Sequence, residues 1–170
     1  NGLKSEDDLK NNLKNNFKSQ YQNGLKQIEK KQLMDILDKE HSFDLPQGIL
    51  EQEFNDIWHR LEHAKKDGTL DEDDKKLSDD QLKKRYQEIS QRRVKLAMLL
   101  QYIAKENKIT VDEKELSQGM MQYATQYPGQ EKEIIEYFKK NPSSIETIRG
   151  PILEEKVISH ITSKCELIKT

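Results

Sequence analysis

The stretch QRRVKLAMLLQYIAKEN, residues 91–107, decides the fold class of this sequence. Its period predicts an α-helix, and its apolar residues fall on nearly every side of that helix. They are Val94, Leu96, Ala97, Met98, Leu99, Leu100, Tyr102, Ile103 and Ala104. A helix that is apolar all round is buried in a protein core. We therefore expect this helix to form the centre of a helical domain.

Two capping boxes predict where helices begin around this stretch. Ser78 with Gln81 predicts the start of the central helix, which runs to about Asn107. Thr110 with Glu113 predicts the start of the next helix, which carries four apolar residues on one face: Leu116, Met120, Tyr123 and Tyr127. No segment alternates long enough for a convincing strand, although residues 166–168 have an extended pattern. The sequence therefore predicts an all-α fold.

The N-terminal part adds two amphipathic helices. Ser5 is a candidate N-cap for the first, in which an apolar residue recurs at every fourth position: Leu9, Leu13, Phe17, Tyr21 and Leu25. A four-residue step drifts by about 40° per repeat on an α-helix, so this narrow stripe winds around the helix axis. Such a helix suits a position along a partner surface. Asp44 as a cap and Pro46 in the first turn predict the start of the second helix.

The composition limits the classes of function. Charged residues make up 35 % of the 170 residues and hydrophobic ones 33 %, which favours thin helical layers over a thick core. Acidic and basic residues are mixed and the net charge is −2, which gives no support for nucleic-acid binding. The longest apolar run, residues 96–100, is too short to cross a membrane. The single cysteine, Cys165, allows a reducing cytoplasm.

Two segments interrupt the helical pattern. Residues 67–76 form an acidic loop that we expect to be too charged to bury, and they lack the ligand spacing and the glycine of a calcium loop. Gly150-Pro151 should kink or restart the last helix.

The segment His59-Arg60-Leu61-Glu62-His63 matches H-x-x-E-H, which in one class of metalloprotease places two zinc ligands on one helix. At about 100° per residue, both histidines fall opposite the apolar stripe of that helix. A catalytic zinc needs a third ligand and a shielded cleft, which a solvated face lacks. We therefore expect His59 and His63 to be solvated, and we predict no metal site, no cofactor and no catalytic residue.

A cluster of methionine and aromatic residues follows the second capping box. Met120, Met121, Tyr123 and Tyr127 are followed closely by Ile134, Tyr137 and Phe138. We expect Leu116, Ile134 and Phe138 to pack between two short helices. For Met121, Tyr123, Tyr127 and Tyr137, core packing and exposure in a groove both remain open. Methionine adapts to varied shapes and tyrosine joins an apolar body to a polar tip, so a groove of this kind suits a variable partner.

The order of several segments resembles the C-terminal domain of trigger factor, the bacterial ribosome-associated chaperone family. The matching segments are residues 43–46 with 50–53, 91–100, 103–107 with 111–113, 127–141 and 152–157. The resemblance covers nearly the whole chain, so we expect a single chaperone domain over residues 1–170. Because the chain starts with Asn1-Gly2, we expect it to be a fragment of a longer protein.

The resemblance implies an elongated helical body with two arms that enclose an open cradle. Unfolded or nascent polypeptides would bind there without nucleotide, in the cytoplasm. The ribosome-binding and prolyl isomerase domains of the family have no counterpart here, which implies no isomerase activity, no direct ribosome contact and a monomeric fragment. Family binding residues carry over to Tyr123, Tyr127, Ile134, Tyr137 and Phe138. We add further candidate contacts for the unfolded partner: Met34, Leu37, Leu99, Ile103, Met120 and Met121.

Two other functions fit the same helices. A scaffold module would dock one folded partner tightly, whereas a chaperone binds many unfolded segments weakly. A periplasmic chaperone built on a similar plan would carry a signal peptide in the complete protein.

Overall fold

The computed structural model describes residues 6–165, and all regular secondary structure in that part is helical. The described residues form six α-helices and two short 3₁₀ turns, at Asp74–Lys76 and Pro142–Ile145. The helices are α1 (Glu6–Glu40), α2 (Gln47–Lys66), α3 (Asp79–Glu106), α4 (Glu113–Ala124), α5 (Glu131–Lys140) and α6 (Glu146–Lys164). The predicted all-α class is confirmed. The proposed cap Ser5 and the segment 166–168 lie outside the described residues.

The chain divides into two compact units, with the division between Asp44 and Leu45. The first unit contains α1, which carries the winding stripe that the spacing predicted, and the structure shows this stripe exposed. Its members Phe17 and Tyr21 are 67 % and 69 % exposed. Towards the end of α1, Met34 is half-buried and Leu37 is buried.

In the second unit, α2 and α6 pack on α3, so α3 is the centre that its sequence predicted. Its buried apolar residues are Leu82, Val94, Leu99, Leu100 and Ala104. The expectation that the helix is buried on every side is wrong, because Ala97 and Tyr102 are exposed. The apolar residues that α2 buries are Ile57 and Leu61, on the stripe predicted to face inward.

Two helices begin with a capping box, and the sequence predicted one of the two at the correct residues. In the first capping box, the Ser78 amide donates to Gln81 Oε1 at 2.9 Å and the Gln81 amide donates to Ser78 Oγ at 3.3 Å. The second capping box consists of Asp112 and Glu115, so the prediction of Thr110 with Glu113 is wrong by two residues. Both pairs have the same spacing, and the helix takes the later one because Lys156 also binds Glu115.

Two local expectations are corrected by the structure. Asp44 does not cap α2, because the helix begins at Gln47 with Pro46 at the N-cap and no side-chain cap bond. The last helix does not restart at Gly150-Pro151: α6 runs from Glu146 to Lys164 with Pro151 inside it. The residue before a proline is normally kept out of helical conformation partly by its Cβ, and Gly150 has none.

The acidic loop is mostly exposed, but Asp74 is buried with 4 % of its surface accessible. The expectation that the whole loop is too charged to bury is therefore wrong at this residue. Burial of a charge requires partners, and Asp74 has two. Arg85 Nη1 lies 3.0 Å from its Oδ1, and the Tyr86 hydroxyl donates to its Oδ2. These contacts fix the loop to the first turns of α3.

Candidate binding surface

Four side chains of the methionine and aromatic cluster are candidate contacts on α4, α5 and the turn between them. The three tyrosines are joined by ring contacts that include Phe138, whereas Met121 lies about 160° around α4 from Tyr123. We call Met121, Tyr123, Tyr127 and Tyr137 the α4–α5 patch. Met121, Tyr127 and Tyr137 are 60 %, 41 % and 54 % exposed, and Tyr123 is half-buried. Exposure, which the sequence left open for these residues, is thus the case for three of the four.

Phe138 is the base of the α4–α5 patch. It is 4 % exposed, and its ring meets two patch tyrosines edge to face. The ring centroids of Tyr123 and Phe138 are 5.4 Å apart and those of Tyr137 and Phe138 are 5.8 Å apart. Edge-to-face pairs at these separations are favourable beyond the area that they bury. The exposed tyrosines are therefore held in position by a buried ring.

The tyrosine hydroxyls are paired along the edge of the patch. The Tyr123 and Tyr127 hydroxyl oxygens lie 3.4 Å apart, and Ser144 Oγ donates to the Tyr137 hydroxyl at 3.3 Å. The hydrogen bond with Tyr127 raises the pKa of Tyr123 above its ordinary value. The Tyr123 hydroxyl consequently stays protonated at neutral pH, and it gives this ring of the patch a polar tip.

Local sequence explains how α5 comes back against α4. Gly129 has φ +88°, a left-handed conformation that glycine adopts without a steric penalty. The Gly129 amide donates to Glu131 Oε2 at 3.0 Å, and Gln130 accepts the first bond of the helix from the Ile134 amide. From that start, Ile134 and Phe138 are one turn apart and turn inward together, while Tyr137 faces outward.

Gly119, one helical turn before Tyr123, packs α4 against α6. A Cβ at residue 119 would lie 2.8 Å from Ile148 Cγ2 and 2.8 Å from Ile152 Cδ1, so only glycine permits this approach without movement. A second tie joins the start of α4 to α6: Lys156 Nζ donates to both Glu115 carboxylate oxygens at 2.7 Å and to the Thr110 carbonyl at 2.6 Å. The Lys156 hydrogen bond is the main cause of the lowered pKa of Glu115.

The remaining candidate contact residues are less accessible than predicted. Leu37, Leu99 and Phe138 are buried, so they offer no surface to a partner in this structure and serve helix packing instead. Met34, Ile103, Met120 and Ile134 are half-buried. The spacing of these residues correctly indicated apolar faces, but it could not distinguish a face that meets another helix from one that meets solvent.

The sequence-based site omitted exposed apolar residues that the structure makes prominent. On α1 they are Leu9, Leu13, Phe17, Tyr21, Leu25 and Ile28. Their spacing of about four residues was the sequence pattern that could have identified them. Their exposure makes them a second candidate surface.

His59 and His63 are exposed on α2, so the prediction that they face solvent is confirmed. Their Nε2 atoms lie 3.3 Å apart, and the intervening Glu62 accepts a hydrogen bond from Trp58 Nε1. In residues 6–165, no group of three or more metal-ligating side chains occurs. Elsewhere on the described helices, His160 Nε2 lies 3.0 Å from Asn107 Oδ1, and the single cysteine, Cys165, is exposed.

None of the described helices combines the length and the hydropathy that crossing a membrane requires. The described part of the chain is all-α, and its distinctive surface is apolar and aromatic. Such a surface is typical of proteins that bind other polypeptides.

Comparison with known proteins identifies the family. The family model described as Bacterial trigger factor protein (TF) C-terminus matches residues 5–163. The chain belongs to this family, and the resemblance found in the sequence is confirmed.

The relatives in this family are bacterial proteins named trigger factor. The one from Maricaulis maris is 40 % identical over 169 residues, which cover 99 % of this chain and 33 % of the relative. Those from Gluconacetobacter diazotrophicus and Rhodospirillum centenum are 45 % and 41 % identical, over 78 % and 81 % of this chain and 30 % and 31 % of each relative. The chain thus spans about a third of the length of the curated relatives it matches. No solved structure matches it.

Proposed function

We propose that this chain is a chaperone region that binds exposed apolar segments of unfolded or nascent polypeptides and assists their folding without nucleotide. Membership of the trigger factor C-terminal family supports this function. The observation that carries it in this chain is the α4–α5 patch, three of whose side chains are exposed although they are large and apolar or aromatic. Exposed apolar side chains that are grouped together mark a surface that contacts another polypeptide.

The size of the α4–α5 patch fits a weak and reversible contact. Its exposed side chains leave roughly 300 Å² for a partner, if a large side chain has about 150–250 Å² to bury. At about 25 cal/mol per Å², complete coverage would contribute roughly 7 kcal/mol. Association and ordering cost about 4–15 kcal/mol, so one patch alone holds a segment only briefly. Fast release is what a chaperone without a nucleotide cycle requires.

The surroundings of the α4–α5 patch keep it in solution. Charged residues alternate with the apolar ones along α5, and Lys132, Glu133, Glu136, Lys139 and Lys140 are all exposed. A charged rim discourages association between apolar patches of two copies. We accordingly propose that the chain is monomeric.

The remaining parts of the proposal concern partners and location. The chain itself has no enzymatic role, and contact with the ribosome and prolyl isomerase activity belong to other parts of the longer protein. The site of action is the cytoplasm. The two units of the chain work together as one chaperone region. In this functional sense we keep the prediction of a single domain over residues 1–170.

An aggregation assay tests this function. The chain is added without ATP to a chemically unfolded enzyme that aggregates on dilution, and light scattering is followed. We expect suppression by the wild type and clearly weaker suppression by a variant with Met121→Ser, Tyr127→Ser and Tyr137→Ser. The matched control changes three exposed residues from other elements, Phe43→Ser, Ile49→Ser and Tyr102→Ser, whose exposures of 39 %, 48 % and 62 % are similar.

Two results would contradict the proposal. Equal suppression by the patch variant and the wild type would remove the α4–α5 patch from the binding surface. Failure to suppress aggregation of several unrelated unfolded proteins, together with tight binding of one folded protein, would show that the chain is a scaffold module.

A further inference from the structure

Two imidazole rings lie side by side on the exposed face of α2, and the function proposed above does not use them. His59 and His63 are one helical turn apart, and both are exposed. Their Nε2 atoms lie 3.3 Å apart. The ring centroids are 4.6 Å apart and the ring planes are nearly perpendicular. The same nitrogen atom of each ring therefore faces one small volume of solvent.

The separation of the two nitrogens matches that of two ligands on one metal ion. An imidazole nitrogen lies about 2.0–2.1 Å from zinc, and a tetrahedral angle then places two such nitrogens roughly 3.3–3.4 Å apart. One ion can thus bind Nε2 of His59 and Nε2 of His63 with little movement of either ring. In the hydrogen-bonded pair, one Nε2 donates its hydrogen to the other. Metal binding moves that hydrogen to Nδ1, which an exposed ring permits because water can accept it there.

The electrostatic surroundings of the pair favour a cation. His63 lies in the last turn of α2, where the helix dipole attracts positive charge. The charged residues within one turn on this side of the helix are three carboxylates and two cations: Asp56, Glu62, Asp67, Arg60 and Lys66. All five are exposed, and their charges sum to −1. A bound divalent cation therefore meets no excess of positive charge.

The ligands decide which ions can bind. Neutral imidazole suits Zn²⁺, Ni²⁺ and Cu²⁺, and affinity along the first transition row is highest for Cu²⁺. Mg²⁺ and Ca²⁺ prefer oxygen ligands. Two protein ligands leave the remaining positions of the ion to water, so the ion is held less tightly than in a closed site with four protein ligands. A catalytic zinc has three protein ligands, so this pair does not restore the metalloprotease site that the H-x-x-E-H pattern suggests.

We propose that His59 and His63 form a two-ligand site for a divalent transition-metal ion, and that the bound ion stabilises the last turns of α2. The proposal departs from the prediction of no metal site, which was based on the requirements of a catalytic zinc. The ion joins two successive turns of the helix, so it binds the helical conformation more tightly than the unfolded chain. An ion that prefers the folded state raises its stability.

Calorimetric titration of the tag-free 170-residue chain tests the site, with CuCl₂, NiCl₂ and ZnCl₂ as probes and MgCl₂ as the negative control. All proteins carry Cys165→Ser, so that no thiolate competes for the metal. The site variants are His59→Asn and His63→Asn.

The matched controls are His41→Asn and His160→Asn, which each remove one imidazole from elsewhere. In the structure, His41 Nδ1 lies 3.0 Å from the Leu37 carbonyl oxygen, and His160 Nε2 lies 3.0 Å from Asn107 Oδ1.

We expect one equivalent of metal to bind, with Cu²⁺ the tightest, Zn²⁺ in the micromolar range or weaker, and no heat from Mg²⁺. His59→Asn and His63→Asn should each weaken binding about tenfold or more, because a single imidazole loses the advantage of chelation. The two control variants should bind like the parent. Free Ni²⁺ at about a hundred times its dissociation constant should raise the ratio of folded to unfolded protein by up to about a hundredfold. The midpoint of thermal unfolding should consequently rise in the parent and not in His63→Asn.

Each of the following results would overturn the inference. No binding of Cu²⁺ at millimolar concentration excludes the site. Unchanged binding in His59→Asn and His63→Asn places the ion on other groups. Equal weakening by His41→Asn or His160→Asn indicates unspecific binding to imidazoles. One ion for two chains, lost in the site variants, means that a second copy completes the site. Binding without any rise in the unfolding midpoint removes the stabilisation of α2.

Discussion

Replacing Gly119 by alanine tests the packing of α4 on α6, which holds the α4–α5 patch in place. Alanine is the better helix former by about 1 kcal/mol in a helix interior. The new Cβ, however, would lie 2.8 Å from Ile148 Cγ2 and 2.8 Å from Ile152 Cδ1. Ile152 Cδ1 is the end of a flexible side chain and can rotate away. Ile148 Cγ2 cannot, because it is attached at the branched Cβ of a residue that is 6 % exposed.

The net effect of Gly119→Ala is therefore destabilising. Overpacking of a core costs about 1–3 kcal/mol, and the middle of this range exceeds the gain in helix propensity by about 1 kcal/mol. We expect a decrease of about 1 kcal/mol in the free energy of unfolding, measured by urea denaturation followed by circular dichroism. At about 2–4 °C per kcal/mol, the midpoint of thermal unfolding should fall by roughly 2–4 °C.

Two matched variants make this prediction specific. Gly48 lies in α2 and has no atom within 4 Å of a Cβ position, so Gly48→Ala should be neutral or slightly stabilising. Ile148→Leu removes the Cγ2 methyl group from the Cβ atom and should restore part of the stability when it is combined with Gly119→Ala. A Gly119→Ala variant as stable as the wild type would refute the close approach of α4 to α6.

Three further predictions concern ionisable groups. Burial and, second, the hydrogen bond to Asp74 raise the pKa of Tyr86 from 10.0 to about 12. The stability that this contact contributes is therefore complete below pH 10 and is lost between pH 10 and pH 12. Tyr86→Phe should abolish the last step of a tyrosinate absorbance titration, and persistence of that step would contradict the assignment. The Lys156 hydrogen bond lowers the pKa of Glu115. The stability that this contact gives the folded chain is therefore complete above the ordinary carboxyl pKa and is lost as the pH falls through the lowered pKa. Glu115→Gln, which can keep the capping box, should lose less stability on acidification than the wild type, and an unchanged acid unfolding curve would exclude this contribution. Calorimetric titration of tag-free protein with zinc should show no one-to-one site of sub-micromolar affinity, and such a site, abolished by His59→Ala, would make the His59–His63 pair a high-affinity zinc site.

The parts of the fold that could be read from the sequence are those set by neighbours along the chain. The Ser78 capping box and the inward stripe of α2 depend on spacing within a few residues, and both were predicted correctly. Burial of Asp74 depends on Arg85 and Tyr86, which reach it only after the loop folds back on α3. The choice of Asp112 over Thr110 is supported by Lys156, forty-one residues away from Glu115. Contacts of this kind leave no local pattern.

The candidate surface also combines features that local sequence indicates with features that depend on distant contacts. Composition identified the cluster around Tyr123 and Tyr137, because methionine and aromatic residues are concentrated there. It could not show that Phe138 lies beneath the tyrosines, since that arrangement depends on the turn at Gly129 and on the packing of α5 against α4. The four-residue spacing of apolar residues also predicted the winding stripe of α1, but the exposure of these residues became evident only from the structure.

Site-specific photo-crosslinking to an unfolded polypeptide tests whether the α4–α5 patch binds unfolded chains. A benzophenone amino acid is placed at Tyr137, in the α4–α5 patch, or at Ile49, which is on α2; these residues are 54 % and 48 % exposed. We predict strong crosslinks from position 137 to the unfolded polypeptide, few from position 49, and none from either position once the polypeptide has folded. Equal crosslinking from both positions, or none from position 137 while aggregation is suppressed, would contradict the claim that the α4–α5 patch binds unfolded chains.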